Sequence, residues 1–504
     1  MSNAVKVGLW SGLLGLFIVV MFSGRSILMC GIITGVFAGL LAGARTDGST
    51  MRDGIRDAAI AAGVGGALLL LANLIRHLLI DPLVAQTPPP LIDDILVGLL
   101  AAAIAVVIGV AFGAAHFLNG RVGLASARVP ASSAATWALL GLIIIAYPFL
   151  DQAIQLGWIG IIITSLVFIL LAMGLNVVVG YAGLLDLGYA AFFAIGAYTV
   201  ALLSSDHLGG QLGFDLRLSF WLVLWIAAAM AAIFGLILGS PTLPLRGDYL
   251  AIVTLGFGEI VPIVFRNLDR LTIKIGDWVL VKNFNLTGGE PGISPIDPPV
   301  LPGMNFADRT DQRPWYFLLI AIIILSMILI NRLRDSRLGR AWMAMREDEL
   351  AAASMGINIV QTKLLAFSMG AFFSGFGGAF FAAFVSGAFP SSFDFSVSVI
   401  VLCMVILGGL GNVTGVIVGG LIIELSDRLF LPQVSLFLQD LAKANPTLEW
   451  LQRFDPNLYR FGLFGLVLVM MMQLRPEGLL PNARRRAELH EGEEPVEAVQ
   501  PVVG

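Results

Sequence analysis

Charge is scarce in this chain. Of 504 residues only 13% are Asp, Glu, Lys or Arg, 58% are hydrophobic, and the mean hydropathy is +0.89. Soluble domains carry about a quarter charged residues, so an ordinary soluble enzyme is excluded. The formal net charge of −4 is small and spread out, which points to no nucleic-acid partner. Histidine is scarce too: His77, His116, His207 and His490 are scattered without ligand spacing, and neither HExxH nor CxxC occurs. Cys30 and Cys403 both sit in apolar runs, where a cysteine behaves as a small hydrophobe. No metal, disulfide or cofactor is expected on this chain. A P-loop needs a Gly-Lys dipeptide so that the lysine reaches the terminal phosphates. None of the five lysines follows a glycine, and no GxSxG nucleophile context occurs. We expect a protein that is not an enzyme and lacks its own ATPase site.

What the chain has is apolar length. With a span of about 20 residues as the ruler, apolar runs fall at 7 to 24, 26 to 44, 58 to 75, 95 to 118 and 134 to 150, then at 156 to 180, 182 to 203, 218 to 240, 248 to 265, 314 to 331, 365 to 388, 395 to 424 and 459 to 473. Lys6 precedes the first run as in a signal peptide, but no small-x-small cleavage site follows, so that segment is expected to be a retained span. The fold expected is all-α, a polytopic transmembrane bundle of about 11 to 13 spans. Its expected organisation is accessory N-terminal helices over 1–150, a translocation core over 151–480 and a charged tail over 481–504. Glycine is abundant, 57 residues, or about 11% against a usual value of roughly 7%, as suits closely packed membrane helices.

Basic residues in short loops favour the cytoplasm. The loop with Arg121 and Arg128 and the loop with Asp81, Asp93 and Asp94 fall on opposite sides, residues 332–363 fall inside, 266–313 and 425–458 outside, and Arg484 to Arg486 place the tail inside. The tail returns inside only if 395–424 enters and leaves on one face. That run is interrupted by Gly408, Gly409, Gly411 and Asn412, so a broken or re-entrant helix pair is expected there. Ionisable groups within the apolar runs are few: Asp186, Asp248, Glu259 and Glu424. An ion relay would have Asp186 and Glu259 at most, and the favoured reading of Asp186 is a carboxylate close to the cytoplasmic face, beside the short turn Gly180 to Gly183. The loop 333–363 reads as a short helix outside the bilayer, capped by Ser336 and stopped at Gly356, with Trp342, Met343, Met345 and Leu350 as apolar anchors. Such a helix suits docking into a partner's groove, and it equally satisfies the positive-inside bias.

The segment GRAWMAMREDELAAASMGI resembles the coupling loop of ABC importer permeases in the form carried by the branched-chain amino acid permease family. Other blocks resemble the same family: NVVVGYAGLLDLGYAAFFAIGAY at 176–198, RGDYLAIVTLGFGEI at 246–260, LTGGEPGI at 286–293 and VILGGLGNVTGVIVGG at 405–420. Within it the chain looks most like the LivM-type subunit, although many relatives carry Gln-Leu-Ser-Leu-Gly-His where residues 184–189 read Leu-Leu-Asp-Leu-Gly-Tyr. The resemblance implies an inner-membrane importer of branched-chain amino acids with a LivH-like second permease, two cytoplasmic ATPases that use the ATP, and a periplasmic binding protein. By matched position it implies Arg340, Arg346, Glu347, Glu349 and Gly356 as the ATPase-coupling set. It implies Asn176, Gly183, Tyr189, Thr254, Glu259, Gly408, Gly409, Gly411 and Asn412 as pathway residues, with Thr287, Gly288, Gly289 and Gly292 shaping an external turn. Two other classes stay open, an ion-coupled secondary transporter and a non-transport membrane assembly subunit.

Overall fold

The computed structural model describes residues 51–76, 97–108, 134–212, 217–242, 248–275, 278–444, 455–474 and 478–480, together with Thr34. The expected spans 7–24 and 26–44, the loops carrying Asp93 and Arg121, the tail 481–504, Cys30, His77, His116 and His490 lie outside the described residues.

In chain order the helices are α1 (Met51–Ile75), α2 (Val97–Ile108), α3 (Ala134–Ile154), α4 (Ile159–Leu175), α5 (Tyr189–Leu203), α6 (Asp206–Leu212), α7 (Phe220–Thr242) and α8 (Asp248–Asn267). They continue as α9 (Arg313–Arg334), α10 (Arg337–Glu347), α11 (Glu349–Ser354), α12 (Ile359–Val385), α13 (Phe395–Gly408), α14 (Val413–Leu425), α15 (Leu431–Ala444) and α16 (Arg460–Leu474). Between α8 and α9 a two-stranded antiparallel ribbon forms from β1 (Leu271–Ile275) and β2 (Trp278–Phe284), with Leu271 opposite Phe284. The ribbon was not expected of an external loop. Its signal is short: β-branched and aromatic residues flanking a Gly-Asp dipeptide.

The chain divides into two compact units, Met1–Ile159 with Asp427–Tyr459, and Gly160–Ser426 with Arg460–Gly504. In the first, Ala58, Ala61 and Ala62 of α1 are fully buried with Val106 of α2 packed on them. Gly66 lets Ala102 come so close that a Cβ there would lie 3.2 Å from the Ala102 backbone. Small residues bring these backbones together, as in membrane interfaces generally.

The second unit holds six helical stretches long and apolar enough to cross a membrane: Ile159–Tyr181, Phe220–Pro241, Tyr249–Arg270, Arg313–Arg334, Ile359–Val385 and Pro390–Gly408. At 1.5 Å per residue, a stretch of about 20 residues matches a hydrocarbon core of roughly 30 Å. The α4 and α12 stretches are 78% and 72% buried within the protein, whereas those of α8 and α9 are each 33% buried, so α4 and α12 are central. Glycine explains how α12 takes neighbours on two sides. A Cβ on Gly375 would meet Ala231 Cβ at 2.7 Å and the Ala227 carbonyl at 2.9 Å on α7, while one on Gly196 of α5 would lie 2.5 Å from the Gly375 carbonyl.

The run 395–424 is broken at 409–412, as expected. Helices α13 and α14 fold against each other as a hairpin in which Gly408 and Gly415 lie backbone to backbone and a Cβ on Gly419 would meet Gly408 N at 2.6 Å. Helical backbone continues past α14 through a π turn, Ser426–Phe430. The last carbonyls of α13 are met by the chain beyond α16: Leu479 N–H donates to Leu407 O at 2.9 Å and Leu480 N–H to Gly408 O at 3.2 Å. Helix ends leave such carbonyls without intrahelical donors, so residues 478–480 close the hairpin tip.

Because Gly408 faces backbone rather than flexible side chains, Gly408→Val is expected to lower the melting temperature of the detergent-solubilised protein, at a cost of about 1–3 kcal/mol for overpacking. Gly462→Ala, with open space around its Cβ, is the control expected to leave it unchanged; equal melting temperatures would contradict the hairpin packing.

Candidate functional site

One end of the second unit gathers the hairpin tip, the end of α4 and the α10–α11 pair. Sequence dictates each piece. Ser336 caps α10: its Oγ accepts from Gly339 N–H at 3.2 Å and donates to Leu333 O at 2.6 Å. Gly339 packs so tightly on the turn after α9 that a Cβ would strike the Leu333 and Arg334 carbonyls. Where one short helix was expected there are two, because Asp348 breaks the run and caps α11, accepting from Leu350 N–H at 2.7 Å and Ala351 N–H at 3.0 Å. Those two amides, Ala351 foremost, hold the exposed Asp348 carboxyl below the usual aspartate range. Gly356, with φ +86°, follows α11 in the left-handed conformation that ends helices. Of the expected anchors, Trp342 is fully buried with its Nε1–H on the Thr362 carbonyl at 2.8 Å, and Met345 is buried. Leu350 points the other way, 70% exposed, near Met355 at 84% in sequence and exposure alike.

The members of the coupling set separate into two kinds. Arg346 donates from Nη1 to the Gly180 carbonyl, its stem lies against Gly183, and a Cβ on Gly411 would lie 3.8 Å from the guanidinium. Glu349 pairs with Lys363 Nζ at 2.6 Å, and the lysine side chain is only 6% exposed. These two side chains hold the pair of helices to their own protein. Arg340 and Glu347 are exposed, Arg340 donating to the Asp335 carbonyl at 2.8 Å. Lys363 was missed by sequence reasoning, although its position at the head of an apolar run was a signal that it needed a counter-charge.

The pathway set is likewise dispersed. Asn176 is buried and its Oδ1 accepts from Gly411 N–H at 2.9 Å, with Gly180 fitted between them. It begins a π turn, Asn176–Tyr181, that ends the α4 stretch. Gly183 and Gly411 have φ of +72° and +80°, and Gly409 +114°. Asn412 caps α14 through Thr414 N–H at 3.2 Å and donates to the Leu480 carbonyl at 2.9 Å. Gly408 belongs to the hairpin contact. The structure thus puts Asn176, Gly183, Gly409, Gly411 and Asn412 at the corner where α10 meets the hairpin tip. Tyr189 is buried elsewhere, donating to the Gly370 carbonyl at 2.9 Å, and Thr254 fixes the loop before α5 by accepting from Leu187 N–H at 3.0 Å. Glu259 is exposed on α8, on a stripe with Tyr249, Ile252, Ile260 and Ile263, all more than half exposed.

Asp186 has a different setting. It is 2% exposed and borders an open groove of 240 Å³ between α5, α7, α8 and α12 that Glu259 does not line. On the remaining face, Gly288, Gly289 and Gly292 all have positive φ, and Thr287 donates to the Phe265 carbonyl at 2.6 Å. Among the described residues no group of His, Cys, Asp and Glu is arranged to hold a metal ion.

Many apolar helices around two buried central ones, with a polar capped helix pair at one end, define a multi-pass membrane protein. The chain belongs to the family described as branched-chain amino acid transport system / permease component, whose profile matches residues 157–472, and it is of the LivM type. It is 39% identical to the high-affinity branched-chain amino acid transport system permease protein LivM of Escherichia coli K12 over 368 residues, 69% of this chain and 75% of that one. The LivM protein of Salmonella typhimurium is 38% identical over 371 residues, covering 70% and 76%. The permease LivH of Escherichia coli K12 is 24% identical over 280 residues, 52% of this chain and 81% of that one. No solved structure matches the chain. The relatives it matches are named as transport permeases.

Removing the Glu349 carboxylate leaves a buried ammonium uncompensated, so Glu349→Gln is expected to destabilise the corner by roughly 3 kcal/mol. Adding Lys363→Met should recover most of it; a double variant no better than the single would refute the pairing. Because the folded Asp348 carboxyl sits below its unfolded value, its cap is complete above the ordinary aspartate range and lost as pH falls through the folded pKa. Exchange protection of Leu350 and Ala351, corrected for intrinsic rates, is expected to fall over that interval, and Asp348→Ala should remove it at neutral pH.

Proposed function

We propose that this chain is a permease subunit of an ATP-binding-cassette importer that carries branched-chain amino acids across a bacterial inner membrane. It works with a LivH-like second permease, two cytoplasmic ATPases that hydrolyse the ATP, and a periplasmic binding protein, and binds no cofactor itself. The supporting observation is the wiring of the α10–α11 pair. Arg346 and the Glu349–Lys363 pair tie it to the bundle, while Arg340, Glu347, Leu350 and Met355 face outward. A helix with its own core contacts on one side and exposed Leu and Met on the other suits a partner's groove. In this reading the outward face docks an ATPase and the inward face passes its displacement to the bundle. Nucleotide drives alternation only because the ATPase favours one arrangement of the bundle over the other. The exposed stripe of α8, with Glu259 among apolar residues, is assigned to the second permease, since a carboxylate facing lipid is costly.

The decisive variant alters outward residues alone, because Arg346 and Glu349 also hold the fold. Leu350→Asp with Met355→Asp is expected to insert normally, lose co-purification of the ATPases and reduce leucine uptake at least ten-fold. Retained association and uptake would refute this docking, and uptake that ignores ATP but collapses with an ionophore would favour an ion-coupled carrier.

A further inference from the structure

Arg266, in the last turn of α8, reaches two carboxylates that belong to other stretches of chain. Its Nε lies 3.1 Å from Glu290 Oε2, and its Nη2 lies 3.8 Å from Asp394 Oδ1. Glu290 sits in the glycine turn 288–292, and beyond it the chain is sewn to its neighbours: Ile293 N–H donates to the Ala388 carbonyl at 3.1 Å, Ala388 N–H returns at 3.0 Å, and Asp297 N–H donates to the Ser204 carbonyl at 2.9 Å. Phe265 and Phe393, each one residue before a member of the ion pair, both pack on Tyr198 of α5, with ring centres 4.3 and 6.0 Å away. Asp394 holds the N-cap position of α13, yet its side chain makes no capping hydrogen bond. A helix start leaves its first amides without intrahelical partners, and aspartate is among the residues best suited to take them. Asp394 therefore has two alternative partners, the Arg266 guanidinium and the amides of its own helix. The 14 residues of α13 span about 21 Å at 1.5 Å per residue. Its other end is the hairpin tip, where Gly411 N–H reaches Asn176 Oδ1 at 2.9 Å beside Arg346. One rod thus has a polar contact at each end, and the lightly packed α8 stretch, 33% buried, is held at the Arg266 end.

We propose that Arg266 and Asp394 form a latch between α8 and α13, closed in this structure, which opens when Asp394 leaves the guanidinium to cap α13. Opening frees the end of α8 to draw away from α13, with the glycine turn that carries Glu290 as the hinge. Packed elements switch between discrete arrangements, and a carboxylate with two exclusive partners supplies such a pair of states. Through α13 the latch is linked to the corner at Arg346. Its place in an import cycle rests on the proposed function; the latch itself does not.

The test uses the full-length chain in lipid nanodiscs, with Cys30→Ala and Cys403→Ala and with spin labels at Arg270→Cys and Ser391→Cys, both exposed and flanking the latch. Electron paramagnetic resonance reads the distance between the labels. Arg266→Gln, and Asp394→Ser, which keeps a capping side chain but no charge, are each expected to shift that distance to longer values. The unaltered ion pair is half exposed, so it is expected to give the same shift between about 0.01 and 1 M salt, where the screening length falls from roughly 30 to 3 Å. Neither variant should respond to salt. Hydrogen exchange over residues 395–397 separates a latch from a simple brace: in Arg266→Gln it is expected to slow, because Asp394 turns to those amides, and Arg266→Gln with Asp394→Ala should abolish the slowing. Faster exchange in Arg266→Gln, or a label distance that ignores both the variants and salt, would overturn the proposal. Should the variants fail to fold, the salt response without them decides alone. Arg346→Gln is expected to move the same distance from the far end of α13, and no movement there overturns the link to the corner. Leucine uptake and ATPase association are separate readouts, so their failure sinks the transport reading and leaves the latch standing, and the converse holds.

Discussion

A single guanidinium, that of Arg346, meets the carbonyl of Gly180 where three separate stretches of chain converge. The π turn that ends the α4 stretch brings its carbonyl out of the helical ladder, the hairpin tip supplies Gly411 beside it, and α10 supplies the cation. A π turn frees backbone groups from ordinary helical pairing and is frequent at functional sites. Positions 180 and 183 are glycine for a plain reason: a Cβ at 180 would strike Asn176, and one at 183 the arginine stem. The corner is therefore built from glycine on one side and one long cation on the other. Asn176 completes it by turning its amide oxygen to Gly411 N–H.

The same logic of missing side chains runs through the bundle. Apolar helices in lipid gain little by hiding apolar surface from one another, so association depends on close contact. Gly196, Gly375 and Gly378 let α5 and α12 touch along their backbones, and Gly408, Gly415 and Gly419 do so for α13 and α14. At these positions the abundance of glycine has a meaning: each sits where two helices share a line of contact.

Much of the second unit was legible in sequence, because apolar runs and their interruptions are one-dimensional signals. The broken run at 395–424, the cap at Ser336 and the stop at Gly356 follow from local chemistry. What was not legible required knowing who sits opposite whom. The Asp348 cap splits into two a stretch whose composition reads as one helix. The Glu349–Lys363 pair joins residues whose helices meet only after folding. Matched position grouped Arg346 with Glu347, yet one faces the bundle and the other water. Asp186 and Glu259 looked like a pair in sequence and occupy different places, one buried beside a groove and one on an exposed stripe.

Residues 176–189 join two features of the fold. At one end Asn176, Gly180 and Gly183 touch the hairpin tip and Arg346; a few residues on, Asp186 and Gly188 border the groove and lean on Thr254 of α8. Between them the chain has no regular helix, so it lacks the ladder that would let it move as a rigid rod, and its course is set by contacts at both ends. Under the proposed function, a displacement of α10 acts on this segment through Arg346 and changes how the Asp186 loop sits on α8. Packed interfaces tend to switch between discrete arrangements rather than deform smoothly, and here the contact most sensitive to such a switch is Gly188 against the Thr254 carbonyl, where no slack exists to absorb it.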